Sequence, residues 1–270
     1  MNKLERQMLD YLKQLKQHNI SGIKISFEDE GLTGELAQII TSVSMRADVP
    51  VAIKIGGCEA RRDLHDAKVL GADKIVAPMI ETPYSLKKFV EAKNAVYHAD
   101  EEYDTKFVIN IETITGYKNL FEMMHLPEAS QIYGITLGRV DFAGSLGKDR
   151  SYCNSPEMLA IAQQIAEVAK IYNKKMFLGG AISGDALNFM RALPKDVFHS
   201  FETRNVIFNA QSALKDKNLN TALTLAMAFE LAWMQRKREF YGKISNAEAQ
   251  RIEMISQRLA AQRQILSNTK

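Results

Sequence analysis

The chain has 270 residues, 46% of them hydrophobic and 25% charged, with a formal net charge of +3, the make-up of a globular protein with a substantial core. So small a charge argues against a nucleic-acid partner, and the densest basic run, Arg236-Lys237-Arg238, reads as the solvated face of a helix. Cys58 and Cys153 form neither a disulfide framework nor a metal spacing, the charged N-terminus holds no signal-peptide core, and no apolar run reaches the roughly 20 residues of a spanning helix; a reduced, cytoplasmic protein with no membrane partner is expected.

Leu4, Met8, Leu12 and Leu15, at helical spacing, predict an amphipathic helix over 2–17. A β-rich run at 22–27 follows and ends in the acidic cluster Glu28-Asp29-Glu30. A helix is predicted over 35–45, then a strand over 51–55 and a Gly56-Gly57 loop. The rhythm repeats with a strand at 74–78, a helix at 85–96, a strand at 106–111 and a helix from near Gly116. Further strands are predicted at 132–137, 175–178 and 197–201, with a helix at 157–172 between the first two of these. Strands alternating with helices at intervals of roughly 25–40 residues indicate βα units and a parallel sheet.

Seven strands are clear, whereas a closed (β/α)8 barrel needs eight. The expected fold is therefore α/β, a TIM-type barrel whose eighth strand is short, disguised or absent. The alternative, a doubly wound open sheet, lacks its Gly-rich phosphate turn. Beyond residue 215 strand character ends: two helices are predicted at 219–241 and 247–266, the second opened by the capping-box pattern Ser245-Asn-Ala-Glu248. The division is a barrel domain, 1–215, and a helical extension, 216–270. Leu223, Met227, Phe229, Leu231 and Trp233 in that extension need cover from the barrel or from another subunit.

Residues 79–89 and 110–120 align without a gap. Each carries Ile-Glu-Thr, a Lys six residues after the Glu and an apolar residue two further on, as expected of one strand-to-helix junction written in successive βα units.

Active sites of parallel barrels collect where the strands end. The polar residues there are Glu28, Asp29 and Glu30, Lys54, Glu81, Asn110 and Glu112, Arg139 and Asp141, and Glu202 and Arg204. Two acids from neighbouring strands with water and substrate oxygens suit a hard divalent cation, and Glu112 with Asp141 is the natural pair. Lys54 shares a strand face with Ala52 and Gly56, so it points into the barrel and must meet an acid or a substrate carboxylate.

The phrases I-E-T at 111–113 and G-R-V-D-F-A-G-S-L-G at 138–147 resemble the two metal-site motifs of the HpcH/HpaI aldolase and citrate lyase β-subunit superfamily. P-V-A-I-K-I at 50–55 and G-A-D-K-I-V-A-P-M-I-E-T at 71–82 sit where that family has its substrate-arginine strand and its Pro-Met strand, and the likeness runs from about Gly22 to Phe208. The resemblance implies a (β/α)8 barrel in which Glu112 and Asp141 hold Mg2+ or Mn2+. The activity it implies is that of a lyase or aldolase acting on a 2-oxo acid, in a homo-oligomer joined through C-terminal helices.

The chain departs from the family at three places. The stretch Ser26–Asp29 has no catalytic His, Lys54 replaces the substrate Arg, and Asn110 replaces a Gln. The expected roles are Lys54, Asp29, Glu28 and Glu30 in catalysis, and Lys54, Asn110, Arg139, Arg204 and Glu81 in substrate binding. Glu202 and Arg204 have an alternative reading as a pair across the last strand, and Glu81 as support for Glu112. The alternative for the whole chain is a non-catalytic or partner-dependent barrel subunit.

Overall fold

The computed structural model describes residues 1–268. α1 (Lys3–Lys16) opens the chain; Asn2 and Glu5 cap it reciprocally, and Met8, Leu12 and Leu15 are its buried face. Then come β1 (Ile20–Ser26), α2 (Gly34–Arg46), β2 (Val51–Lys54), α3 (Arg61–Val69), β3 (Lys74–Ala77), α4 (Pro83–Asn94), β4 (Lys106–Ile111) and α5 (Ile114–His125). They are followed by β5 (Gly134–Gly138), α6 (Arg139–Ser145), α7 (Pro156–Ile171), β6 (Lys175–Gly179), α8 (Leu187–Arg191) and β7 (Phe198–Glu202). β8 (Val206–Asn209), α9 (Ala210–Ala213) and α10 (Leu219–Asn268) complete the described chain.

The strands close into a barrel in the order β1 to β8. β1 to β7 run parallel, but β8 is antiparallel to both of its neighbours. The eighth strand was hidden because it has four residues and follows β7 through a tight turn with no crossover helix. Thr203 closes that turn: its N–H donates to the Val206 carbonyl at 2.9 Å, and its hydroxyl accepts from Val206 N–H at 3.1 Å. So short a run carries too little periodicity to be read.

Alternation sorts the core. Ile23, Ile25, Ile53, Ile75, Ile109 and Leu137 face outward beneath the helices, while Val76, Val108 and Phe177, backed by Tyr133, form a separate apolar cluster inside the barrel.

The two expected C-terminal helices are one, the 50 residues of α10, about 75 Å long at 1.5 Å per residue. Ser245 and Glu248 lie in its interior, because Lys, Ala, Glu, Gln and Arg on both sides favour continuing the helix. Leu223, Phe229 and Trp233 are buried, whereas Met227 and Leu231 are exposed. The basic run is only partly solvated: Arg236 pairs with Glu5 at 2.8 Å and Lys237 with Glu30 at 3.2 Å, leaving Arg238 exposed. Among the described residues no helix is long and apolar enough to cross a membrane.

Candidate active site at the C-terminal mouth of the barrel

Lys54, at the end of β2, points inward because Ile53 and Ile55 pack outside. Its Nζ donates to Asp29 Oδ2 at 3.1 Å and lies 3.9 Å from Glu112 Oε1. Burial pushes the ammonium pKa down, but Glu112, Asp29 and Asp141 outweigh it and hold the pKa above its ordinary value. The same contact acts on Asp29: burial pushes its carboxyl up, and Lys54 with Arg204 brings it below the usual range. Both groups are therefore ionised near neutral pH.

Glu112 is 3% exposed. Its Oε1 accepts from Met79 N–H and its Oε2 from Asn110 Nδ2, each at 3.0 Å. Burial nevertheless pushes its pKa up, against Lys54 and these two hydrogen bonds. Gly138 makes room for it, since a Cβ there would lie 2.8 Å from Glu112 Cβ and Oε2. Met79 aims its N–H from a left-handed conformation, φ 51°, which costs a non-glycine residue about 1–2 kcal/mol. Asp141, exposed in the first turn of α6, is close enough for its charge to act on both Lys54 and Glu112.

Asn110 Oδ1 is the one buried side-chain polar atom among the described residues with no hydrogen-bond partner. An acceptor left so costs about 1–3 kcal/mol, so this is where a donor from water or a ligand belongs.

The two copies of the repeated phrase sit at equivalent junctions but at different distances from the strand. Thr82 and Thr113 are the N-caps of α4 and α5, accepting from Ser85 N–H and Gly116 N–H at 3.1 Å each. β4 ends at Ile111, directly before Glu112, but β3 ends at Ala77, and Pro78-Met79-Ile80 intervene before Glu81. Those extra residues carry Glu81 away from the strand end: its Oε1 accepts from Thr113 Oγ1 at 2.5 Å, and its carbonyl from Asn119 at 2.8 Å. Glu81 thus braces the residue next to Glu112.

Three expected residues are placed otherwise. Arg139 is fully buried, with its five N–H groups directed to the carbonyls of Gly179, Cys153, Gly180 and Ala181 and to Asn154 Oδ1; no donor remains for a substrate. It clamps the loop after β6, where Gly180, at φ 79°, passes so close that a Cβ would meet Val140 N at 2.8 Å. Glu30 turns outward to α10, accepting from Trp233 Nε1 at 2.7 Å, Lys237 at 3.2 Å and Asn205 at 3.0 Å. Glu202 pairs inside the barrel with Lys24 rather than with Arg204. Arg204 is exposed in the β7–β8 turn, within electrostatic reach of Asp29. Glu28, also exposed, lies against Gly56.

Sequence reasoning missed Lys24 and Lys74. The signal was present: each lies next to outward-facing isoleucines, as Lys54 does. Lys74 sits 4.4 Å above the Phe177 ring, and burial lowers its pKa. Three of the five histidines are engaged elsewhere: His18 bonds Asp216 at 2.9 Å, His125 bonds Tyr172 at 2.7 Å, and His199 packs edge-on to Phe177.

Among the described residues no three His, Cys, Asp or Glu side chains are grouped to share a metal. A hard cation such as Mg2+ needs only one or two carboxylates plus water and substrate oxygens. The carboxylates of Glu112 and Asp141, whose charges act on each other and on Lys54, fit such a cation in their chemistry.

The sequence profile of the HpcH/HpaI aldolase/citrate lyase family matches residues 42–183, a span that includes Lys54, Glu81, Asn110, Glu112 and Asp141. No curated protein matches the chain. Among solved structures it is similar to citrate synthase SbnG, at 14% identity and TM-score 0.59 over 86% of this chain and 90% of that one. It is similar also to a citrate lyase from Burkholderia xenovorans LB400, at 15% identity and TM-score 0.58 over 88% and 89%. A third is an HpcH/HpaI aldolase from Desulfitobacterium hafniense DCB-2, at 11% identity and TM-score 0.57 over 72% and 82%. At such identities the structural likeness is one of fold, while the profile covers just over half of the residues: the chain belongs to the HpcH/HpaI aldolase/citrate lyase family.

Proposed function

We propose that the protein is a divalent-metal-dependent carbon–carbon lyase or aldolase acting on a 2-oxo acid. The observation that carries this reading is the convergence of Glu112, Asp141, Lys54 and Asp29 at the mouth, with the unpartnered Asn110 acceptor beside them. Glu112 and Asp141 would hold Mg2+ or Mn2+, which would supply positive charge for the oxygen that gains electron density as the carbon–carbon bond breaks. Lys54 stays protonated and anchors the substrate carboxylate. Its 3.1 Å contact with the Asp29 carboxylate favours the charged ammonium over the neutral amine that a Schiff base needs. Asp29, ionised and 3.1 Å from Lys54, is the base available for the hydroxyl proton released on cleavage. Asn110 Oδ1 accepts from a substrate hydroxyl or an ordered water, and the exposed Arg204 reaches a distal anionic group.

The test is pyruvate or oxaloacetate release from a panel of 4-hydroxy-2-oxo acids and citrate-like acids, with added Mg2+ or Mn2+. Glu112→Gln and Asp141→Asn are expected to lower kcat/KM by more than about 100-fold, the upper range for residues that merely support a metal ligand, with Tm retained. Full activity in both variants would remove the metal assignment. The partner-dependent reading draws on the absence of a His in the Ser26–Asp29 stretch; turnover by the purified chain alone rejects it.

We also propose self-assembly through α10. Ile252, Ile255 and Leu259 are exposed at the three-and-four spacing of a helix seam, and exposed Leu266 lies one heptad beyond Leu259. Truncation after Tyr241 should reduce the assembly measured by light scattering; an unchanged mass would reject the seam.

A further inference from the structure

At the end of the barrel opposite the mouth, a cleft of about 260 Å3 lies between α8, the start of β7 and α9. It follows from the reversal of β8. A parallel final strand would be reached through a crossover helix packed on this side. Here the chain turns back directly, and the elements beside the cleft are short, five residues in α8 and four in α9. Gln211 Nε2 donates to the Lys195 carbonyl at 2.8 Å and ties α9 to the loop before β7.

Met190, Leu193, Phe198 and Ala210 make the floor, none more than 3% exposed. Arg191, Lys195 and Lys215 stand around it, all exposed. No ion pair or side-chain hydrogen bond joins these three cations to another described residue. The acids next to them in sequence are engaged elsewhere: Asp196 pairs with Lys170 and Asp216 with His18, both at 2.9 Å. An apolar floor beneath unneutralised cations is complementary to neither a bare inorganic anion, which leaves the floor wet, nor a neutral lipid, which leaves the cations unmatched.

We propose that this cleft binds a small amphipathic carboxylate, an acyl or aryl acid of roughly nine non-hydrogen atoms, taking about 30 Å3 for each water-sized group. A carboxylate head spends little of that volume on charge and leaves the rest for the floor, and Arg191 offers the planar fork that matches it. The cleft and the mouth lie at opposite ends of the barrel, so the inference stands independently of the chemistry proposed for Glu112.

Calorimetric titration of the full chain with hexanoate and octanoate tests it, with acetate and octan-1-ol as controls lacking the apolar body and the charge. Saturable one-to-one binding of octanoate is expected, at least about tenfold tighter than either control and weaker at high salt. The surface double variant Arg191→Glu/Lys195→Glu should weaken it at least about tenfold, and Ala210→Leu should weaken it by filling the floor. Glu112→Gln should leave it unchanged. Equal affinity for acetate and octanoate, an unchanged affinity in the double variant, no saturable binding, or loss of binding in Glu112→Gln would each overturn the proposal.

Discussion

Replacing Arg139 by lysine keeps a cation but reduces five donors to three. In the structure all five reach oxygen, at 3.5 Å to Gly179, 3.0 Å to Cys153, 2.7 Å to Asn154, 2.5 Å to Gly180 and 3.1 Å to Ala181. Lysine leaves two of these acceptors unmet. The 3.5 Å bond contributes least, and a buried bond to a charged donor is worth about 1.5–3 kcal/mol, so Arg139→Lys should cost about 3 kcal/mol. Burial already lowers the guanidinium pKa to about 10, and an ammonium in its place would resist desolvation less well. At about 2–4 °C per kcal/mol for a chain near this size, Tm should fall by about 6–12 °C in thermal unfolding followed by circular dichroism. Activity per folded molecule at 25 °C should keep its KM within about twofold. A Tm within about 1 °C of wild type together with a raised KM would refute this reasoning and restore Arg139 as a substrate-binding arm.

Gly138→Ala places a Cβ 2.8 Å from Glu112 Cβ and Oε2; overpacking of about 1–3 kcal/mol should displace the carboxylate and weaken Mn2+ binding followed by electron paramagnetic resonance. Unchanged Mn2+ binding would show that this position of Glu112 is not required. Trp233→Phe keeps an aromatic side chain, smaller than the indole, and removes the 2.7 Å bond to Glu30, at about 1–3 kcal/mol for the lost bond, and should speed hydrogen exchange at residues 27–32; protection equal to wild type would show that α10 does not hold that loop. Glu5 concerns pH: burial pushes its carboxyl up, but Arg236 and the Asn2 N–H outweigh it and hold the pKa below 4.5. A carboxyl lowered on folding contributes stability that is present above its unfolded pKa and lost as the pH falls through the folded value. The Tm gap between wild type and Glu5→Gln should therefore be full near neutral pH and close as the pH falls through the folded value; a gap independent of pH would contradict the linkage.

Local pattern alone determined seven strands, four of the helices between them and the inward direction of Lys54, because period-two and 3.6-residue alternation are written residue by residue. It also placed Glu112 and Asp141 at the ends of neighbouring strands. Tertiary structure decided what depends on distant partners. Val206–Asn209 became a strand because β7 and β1 supply its hydrogen bonds. Arg139 and Arg204 look equally exposed on paper, yet carbonyls from the β6 loop claim the first, while the second stays on the rim. Glu30 looked like its neighbour Asp29 until Trp233, 203 residues away, took its carboxylate. The two Ile-Glu-Thr phrases are alike because each writes a helix cap. Where their strands stop, at Ala77 or at Ile111, is set by pairing in the barrel, and that offset puts only Glu112 against Lys54.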